Sequence, residues 1–366
     1  MDTNEKMTDP AALSGARRDF TLLGLAFFTM TALQYLVSFA LSYFGRKYFP
    51  DAVSGEWFFW LTGSAPLYIV AMPAAWLIMR AIPKRAVLPD VDGVPAKPKK
   101  MTGYDFFIAI LVCLGVMQAG NYVGNLINTM LSAATGHTSI SGLDTILTKT
   151  DPLVMFAVVV VIGPVLEELV FRKLVIDRIS RYGAATAAVI SALIFGLCHG
   201  NIQQFFYAFA LGLFFAFIYL RTGNIRTTVL MHMTVNFLGG FVPSMLLRLL
   251  SLTDGLDELL KMTQDLTTSG NIVDMTPEEA AEYLKIFSRA AAPLMLIATW
   301  SLTVMALAIT GLFILISVRR RVTLAPCRPA ETVIPREKRG YAIFLNVGMM
   351  LYIVSMAAIA ALSLFT

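Results

Sequence analysis

Long apolar runs alternate with short polar joints along this chain, and the runs have the length of a membrane. A helix needs about 20 mostly apolar residues to cross a hydrocarbon core about 30 Å thick. On that criterion nine segments predict membrane helices, at approximately 20–44, 57–81, 104–133, 152–176, 184–200, 202–221, 226–249, 293–317 and 341–365. The segments 184–200 and 202–221 are short, and almost nothing separates them. Residues 1–19 are polar, and the first apolar run is longer than the 7–15 residues of a signal-peptide core, so it predicts a retained helix.

The polar joints divide the chain into N-terminal helices over 1–151, a central unit over 152–250, an outer loop over 251–292 and C-terminal helices over 293–366. Within the first part, 82–103 holds Pro83, Pro89, Pro95 and Pro98 with four lysines, which predicts an extended cytoplasmic linker. The outer loop is acidic, with Asp254, Asp257, Glu258, Asp265, Asp274, Glu278, Glu279 and Glu282. Thr276-Pro277-Glu278-Glu279 has the form of a helix start, a threonine cap followed by proline and acids. The loop reads as a solvated connection or as a lid at a substrate entrance, with Leu284 and Phe287 on the membrane surface.

Composition agrees with the pattern. Of 366 residues, 57% are hydrophobic and 14% charged, against about 25% charged in soluble domains. The fold class expected is therefore all-α, a polytopic transmembrane helix bundle of eight or nine membrane segments. Disorder, a disulfide scaffold and a repeat solenoid are excluded. Cys113, Cys198 and Cys327 are scattered and lack zinc spacing. The net charge of +5 does not call for nucleic acid. With the N-terminus cytoplasmic and nine crossings, Lys and Arg divide about three to one in favour of the cytoplasmic side, which is the usual bias.

Ionisable residues inside apolar helices are expensive, about 2.5–3.5 kcal/mol each on insertion scales, and need a partner or a purpose. Here they gather between residues 163 and 236. Gly163-Pro164-Val165-Leu166-Glu167-Glu168-Leu169-Val170-Phe171-Arg172 places two adjacent acids just after a predicted helix break. Pro164 cannot donate to the carbonyl of Val160. Glu168 and Arg172, four apart with the acid first, predict an ion pair. Glu167 lies about 100° around the helix and is left to point elsewhere, as suits a group that takes and returns a proton. A plain structural clamp would use the same residues.

Two further helices carry Phe195-Gly196-Leu197-Cys198-His199 and His232-Met233-Thr234-Val235-Asn236. His232 and Asn236 are one turn apart and share a face. Each signal alone fits a packed polar residue, but the three in order within about 70 residues do not read as coincidence. The third histidine, His137, lies in a polar loop and reads as incidental.

These motifs, EExxxR, FxxxH and HxxxN, resemble those of the CPBP family of intramembrane proteases, which includes the type II CAAX prenyl endopeptidases and the bacteriocin-processing and immunity proteins of bacteria. The resemblance covers about 152–240. It implies an integral membrane endopeptidase, in a bacterial plasma membrane given the family's breadth, acting on a protein or peptide substrate at the lipid. By matching position, Glu167 and His199 would activate water, His232 and Asn236 would stabilise the oxyanion, and Glu168 with Arg172 would brace the site. A zinc ion held by Glu167, His199 and His232 is the alternative, although HExxH is lacking and asparagine is a poor zinc ligand.

One conflict stands in the sequence. On straight helices His199 lies about 24 Å from the cytoplasmic end of its segment and His232 about 9 Å from that of its own. They meet only if 184–221 forms a short, partly re-entrant hairpin or the boundaries shift. Two other functions are open. A non-catalytic scaffold or immunity protein could reuse the fold. A transporter could use the break at Gly163-Pro164, but no matching broken segment lies in the other half.

Overall fold

The computed structural model describes residues 10–53, 55–91, 94–95, 97–98, 100–136, 150–253, 276–321, 323–324 and 327–364. His137 and the acids at 254–274 lie outside them. Ten main helices follow in order: α1 Pro10–Tyr48, α2 Glu56–Met79, α3 Gly103–Thr135, α4 Pro152–Tyr182, α5 Ala184–Leu197, α6 Ile202–Thr222, α7 Ile225–Ser251, α8 Pro277–Val318, α9 Arg336–Ile343 and α10 Val347–Leu362. A two-residue ladder, Asp90–Val91 with Val94–Pro95, is the one sheet among the described residues.

Among the described residues, seven helices are long and apolar enough to cross a membrane, or eight if α9 and α10, bent by 69°, count as one broken span. The ninth predicted crossing fails at 184–200. Helix α5 has 14 residues, about 21 Å of rise, too little to cross alone. Glycines end it. Gly183 (φ +108°) stands at its start and Gly200 (φ +70°) in the turn that follows.

The helix ends explain themselves locally. Asp151 caps α4, its side chain accepting from the amides of Leu153 and Val154, with Pro152 in the first turn. Thr102 and Asp105 form a reciprocal capping box on α3. Gly223 (φ +62°) closes α6, and Asn224 at once caps α7, so two residues reverse the chain. Pro277 opens α8, as its sequence predicts.

Two apolar cores hold the bundle. One joins α1, α4, α5 and α10 through Phe20, Phe27, Phe171, Ile194 and Tyr352. The other joins α3, α6, α7 and α8 through Cys113, Leu114, Phe215, Met231 and Ala308. Close backbone approach tightens two helix pairs. A Cβ on Gly348 of α10 would strike the Thr21 carbonyl of α1, and one on Gly311 of α8 would strike the Leu111 carbonyl of α3. Membrane helices pack closely through such small residues. The outer faces carry large apolar side chains in the open, including Phe39, Ile69, Leu302 and Phe313, each at least 70% exposed. In lipid that exposure carries no hydrophobic penalty.

The opposite property marks one end of the bundle. Lys173 pairs with Asp177 at 3.0 Å, Arg85 with Glu331 at 2.8 Å, and Tyr182 donates to buried Asp19 at 2.7 Å. The segment expected as a free linker is tied in here at its start. The Arg85 amide donates to the Asp177 carbonyl, and the Val87 carbonyl accepts from Arg328.

Candidate active site

The three motifs converge at the seam between the two cores. Helix α4 is wound more widely than an α-helix over Phe156–Ile162, so the Gly163 amide donates to the Val158 carbonyl, five residues back. The next donor in that register would be Pro164, which has no N–H. The carbonyl thereby orphaned is that of Val159, not Val160 as an α-helical count suggests. The Asn236 side-chain nitrogen of α7 donates to it at 2.9 Å. The asparagine thus supplies the hydrogen bond that the proline removes, and one of its two N–H groups is spoken for.

The two adjacent acids occupy different surroundings. The side chain of Glu168 is 0% exposed, and its Oε2 lies 3.1 Å from Nε of the equally buried Arg172. Its Oε1 accepts from Nδ1 of His232 at 3.1 Å. Arg172 also donates to Ser191 at 3.2 Å, and its guanidinium lies over the rings of Phe195 (4.8 Å) and Phe215 (5.7 Å). The predicted ion pair is therefore present, enclosed by aromatic faces that suit a desolvated cation.

Glu167 is different. Its side chain keeps 23% of its exposure, and its Oε2 stands 3.8 Å from Nε2 of His232. Among the described residues no Lys or Arg pairs with it. His232 thus lies between the two acids, with the Phe195 and Phe215 rings at 5.8 and 5.3 Å.

His199 sits past the end of α5, in the turn to α6. The Phe195 carbonyl can only accept, so Nδ1 of His199 donates to it, at 2.9 Å. That fixes the proton on Nδ1 and leaves Nε2 of the neutral ring with its lone pair. Asn201, the cap of α6, donates from its side chain to the His199 carbonyl at 3.0 Å, which pins the turn. The Phe195 ring lies between the two imidazoles, 5.1 Å from His199 and 5.8 Å from His232. This resolves the axial mismatch. Helix α5 is short, His199 folds back on its own helix, and the Phe195 ring contacts both imidazoles.

Some contributors escape sequence reasoning. Ser191 holds Arg172 and itself donates to the Phe171 carbonyl at 2.7 Å. Tyr207 of α6 faces the His199 ring at 6.2 Å, and Tyr68 reaches the site from α2, beside Gly163 and Glu167. Serine and tyrosine in apolar helices are common, and only their neighbours mark these as part of a site. A metal centre is not apparent. No group of three or more His, Cys, Asp or Glu among the described residues is arranged to hold an ion.

Residues 149–238, which carry all of these motifs, match the model of the type II CAAX prenyl endopeptidase Rce1-like family. The likeness to that family is confined to this segment. The chain is 34% identical over 83 residues to YdiL of Bacillus subtilis, a candidate membrane peptidase, covering 22% of this chain and 34% of that protein. It is 33% identical over 106 residues to the membrane-embedded CAAX protease MroQ of Staphylococcus aureus, covering 26% and 40%. The match therefore spans about a third to two fifths of these relatives' length. No solved structure matches. Helices α1, α2, α3, α8, α9 and α10 lie outside the Rce1-like segment, yet α1 and α2 reach its site.

Proposed function

We propose that this protein is an intramembrane endopeptidase that hydrolyses a peptide bond in a membrane-associated protein or peptide precursor. The observation that carries the reading is the division of labour between neighbouring acids. Glu168 is closed in against Arg172 and accepts from His232, while Glu167 is partly open and, among the described residues, pairs with no Lys or Arg and has only His232 Nε2 nearby, at 3.8 Å. A carboxylate free of a cation is the better base. Glu167 takes a proton from water as the water adds to the scissile carbonyl, and returns it to the leaving amine. His199, with Nε2 unprotonated, orients that water. The second N–H of Asn236, and His232 when both its ring nitrogens carry protons, can donate to the developing oxyanion. Glu168 and Arg172 hold His232 in place.

The Rce1-like segment and the names of its relatives support a protease of the CAAX type. A metal-free glutamate mechanism fits the donor set better than zinc. The test is proteolysis by purified protein in detergent on a pool of membrane-anchored precursor peptides, with and without a strong chelator. Cleavage that survives chelation and is lost in Glu167→Ala is the expected result. Cleavage lost on chelation and restored by zinc would replace the glutamate mechanism with a metal one. A scaffold or immunity role would instead leave the cellular phenotype intact in Glu167→Ala.

A further inference from the structure

Tyr68 belongs to a helix outside the Rce1-like segment, so no motif names it. It lies in a widely wound turn of α2, Pro66–Ala71, that begins at a proline. Such turns recur at functional sites. The ring packs against the larger apolar core, and the hydroxyl meets α4 at its own proline break. A Cβ placed on Gly163 would stand 2.9 Å from the Tyr68 hydroxyl and 3.7 Å from Oε1 of Glu167. The missing side chain of Gly163 thus leaves a notch with a phenol on one side and the proposed base on the other.

The hydrogen-bond donors at the site are mostly committed. His199 spends its Nδ1 proton on the Phe195 carbonyl, His232 its Nδ1 proton on Glu168, and Asn236 one amide proton on Val159. Tyr68 donates no hydrogen bond among the described residues. Tyr207, the other nearby phenol, faces the His199 ring, whereas the Tyr68 hydroxyl is the atom nearest to a Cβ on Gly163.

We propose that the Tyr68 hydroxyl is a catalytic hydrogen-bond donor to the carbonyl oxygen of the scissile peptide bond as that oxygen becomes negative. The inference rests on the endopeptidase reading and names a group that reading lacked. Water adds to the carbonyl carbon while Glu167 takes one of its protons. The carbonyl π pair moves to oxygen, where Tyr68 donates without giving up its proton. The pair then returns, the C–N bond breaks, and the proton held by Glu167 passes to the leaving nitrogen. A methyl group on Gly163 would press on the phenol and on the Val158 carbonyl.

The experiment is steady-state cleavage of a peptide that the full-length protein cuts, in detergent, with Tyr68→Phe, Gly163→Ala, their double variant and Glu167→Ala. Loss of one oxyanion donor lowers kcat by about 100-fold or more. Tyr68→Phe is expected to show that fall with KM within about twofold and an unchanged thermal unfolding midpoint. The Gly163→Ala variant should lose activity too, and the double variant should be little worse than either, because both remove one interaction. A Tyr68→Phe variant with wild-type kcat would overturn the proposal, as would a double variant losing the product of both effects. Activity retained in Glu167→Ala would instead overturn the assignment of Glu167 as the base, and a chain that cleaves no peptide under any condition would overturn the endopeptidase reading.

Discussion

At the scale of single residues, the site depends on where each polar group finds its partner. Arg172 is fully buried against Glu168, Ser191 and two aromatic rings. Replacing it with methionine leaves Glu168 charged and enclosed, and breaking such a pair costs about 3–5 kcal/mol. Thermal unfolding in detergent should show Arg172→Met as strongly destabilised, and an unchanged midpoint would contradict the burial. Asn236 serves the Val159 carbonyl, and an orphaned buried carbonyl costs about 1–3 kcal/mol. Asn236→Ala should therefore lower stability as well as activity, and hydrogen exchange should quicken in the turn around Gly163. A loss of activity with native stability and exchange would mean that Asn236 acts on substrate alone. The sequence made the Glu168–Arg172 pair legible, because i, i+4 spacing is enforced by the helix. It could not reveal Asn236's partner. That bond depends on the wide turn of α4, which moves the free carbonyl by one residue and leaves no trace in hydrophobic periodicity.

At the scale of elements, apolar length located most of the helices but misjudged α5. Residues 184–200 are apolar throughout, yet Gly183 and the Gly200 turn limit the helix to 14 residues. The shortness sets His199 in the turn that folds back on α5, where its Nδ1 meets the Phe195 carbonyl. Two helices that the motifs ignore complete the site. Helix α2 brings Tyr68, and α1 packs Phe27 on Phe171, ring centroids 5.6 Å apart, directly beneath Arg172 in sequence. Packing between α1 and α10 relies on Gly348. Overpacking a tight contact costs about 1–3 kcal/mol. Gly348→Val should lower the unfolding midpoint by that measure, while Gly340→Val, with open space around it, should not. Equal midpoints for the two would contradict the close α1–α10 contact.

At the scale of the whole molecule, exposed apolar helix faces and a cluster of basic residues give an expected orientation. The turn between α6 and α7 lies beside the end of α4, as the bond from Tyr219 to Asp177 at 2.7 Å shows. Lys84, Arg85, Lys173, Arg181 and Arg221 therefore gather at one end, and Arg17 joins it through Tyr341 of α9, 2.6 Å away. Such an end is expected to face the cytoplasm. In a background lacking Cys113, Cys198 and Cys327, Lys84→Cys should react with an impermeant thiol reagent only after the membrane is opened, and Asp51→Cys before it. The reverse pattern would invert the topology. The outer-loop acids at 254–274 and His137 lie outside the described residues, so the proposed lid stays an expectation from sequence.

The central claim is that neighbouring acids do different work, Glu167 reacting and Glu168 bracing. It is tested most directly by measuring cleavage and thermal unfolding of Glu167→Gln and Glu168→Gln side by side. The account predicts that Glu167→Gln keeps the wild-type unfolding midpoint and loses cleavage. It predicts that Glu168→Gln, which strands Arg172 and His232, unfolds far more readily. A Glu167→Gln protein that still cleaves, or a Glu168→Gln protein as stable as wild type, would contradict it.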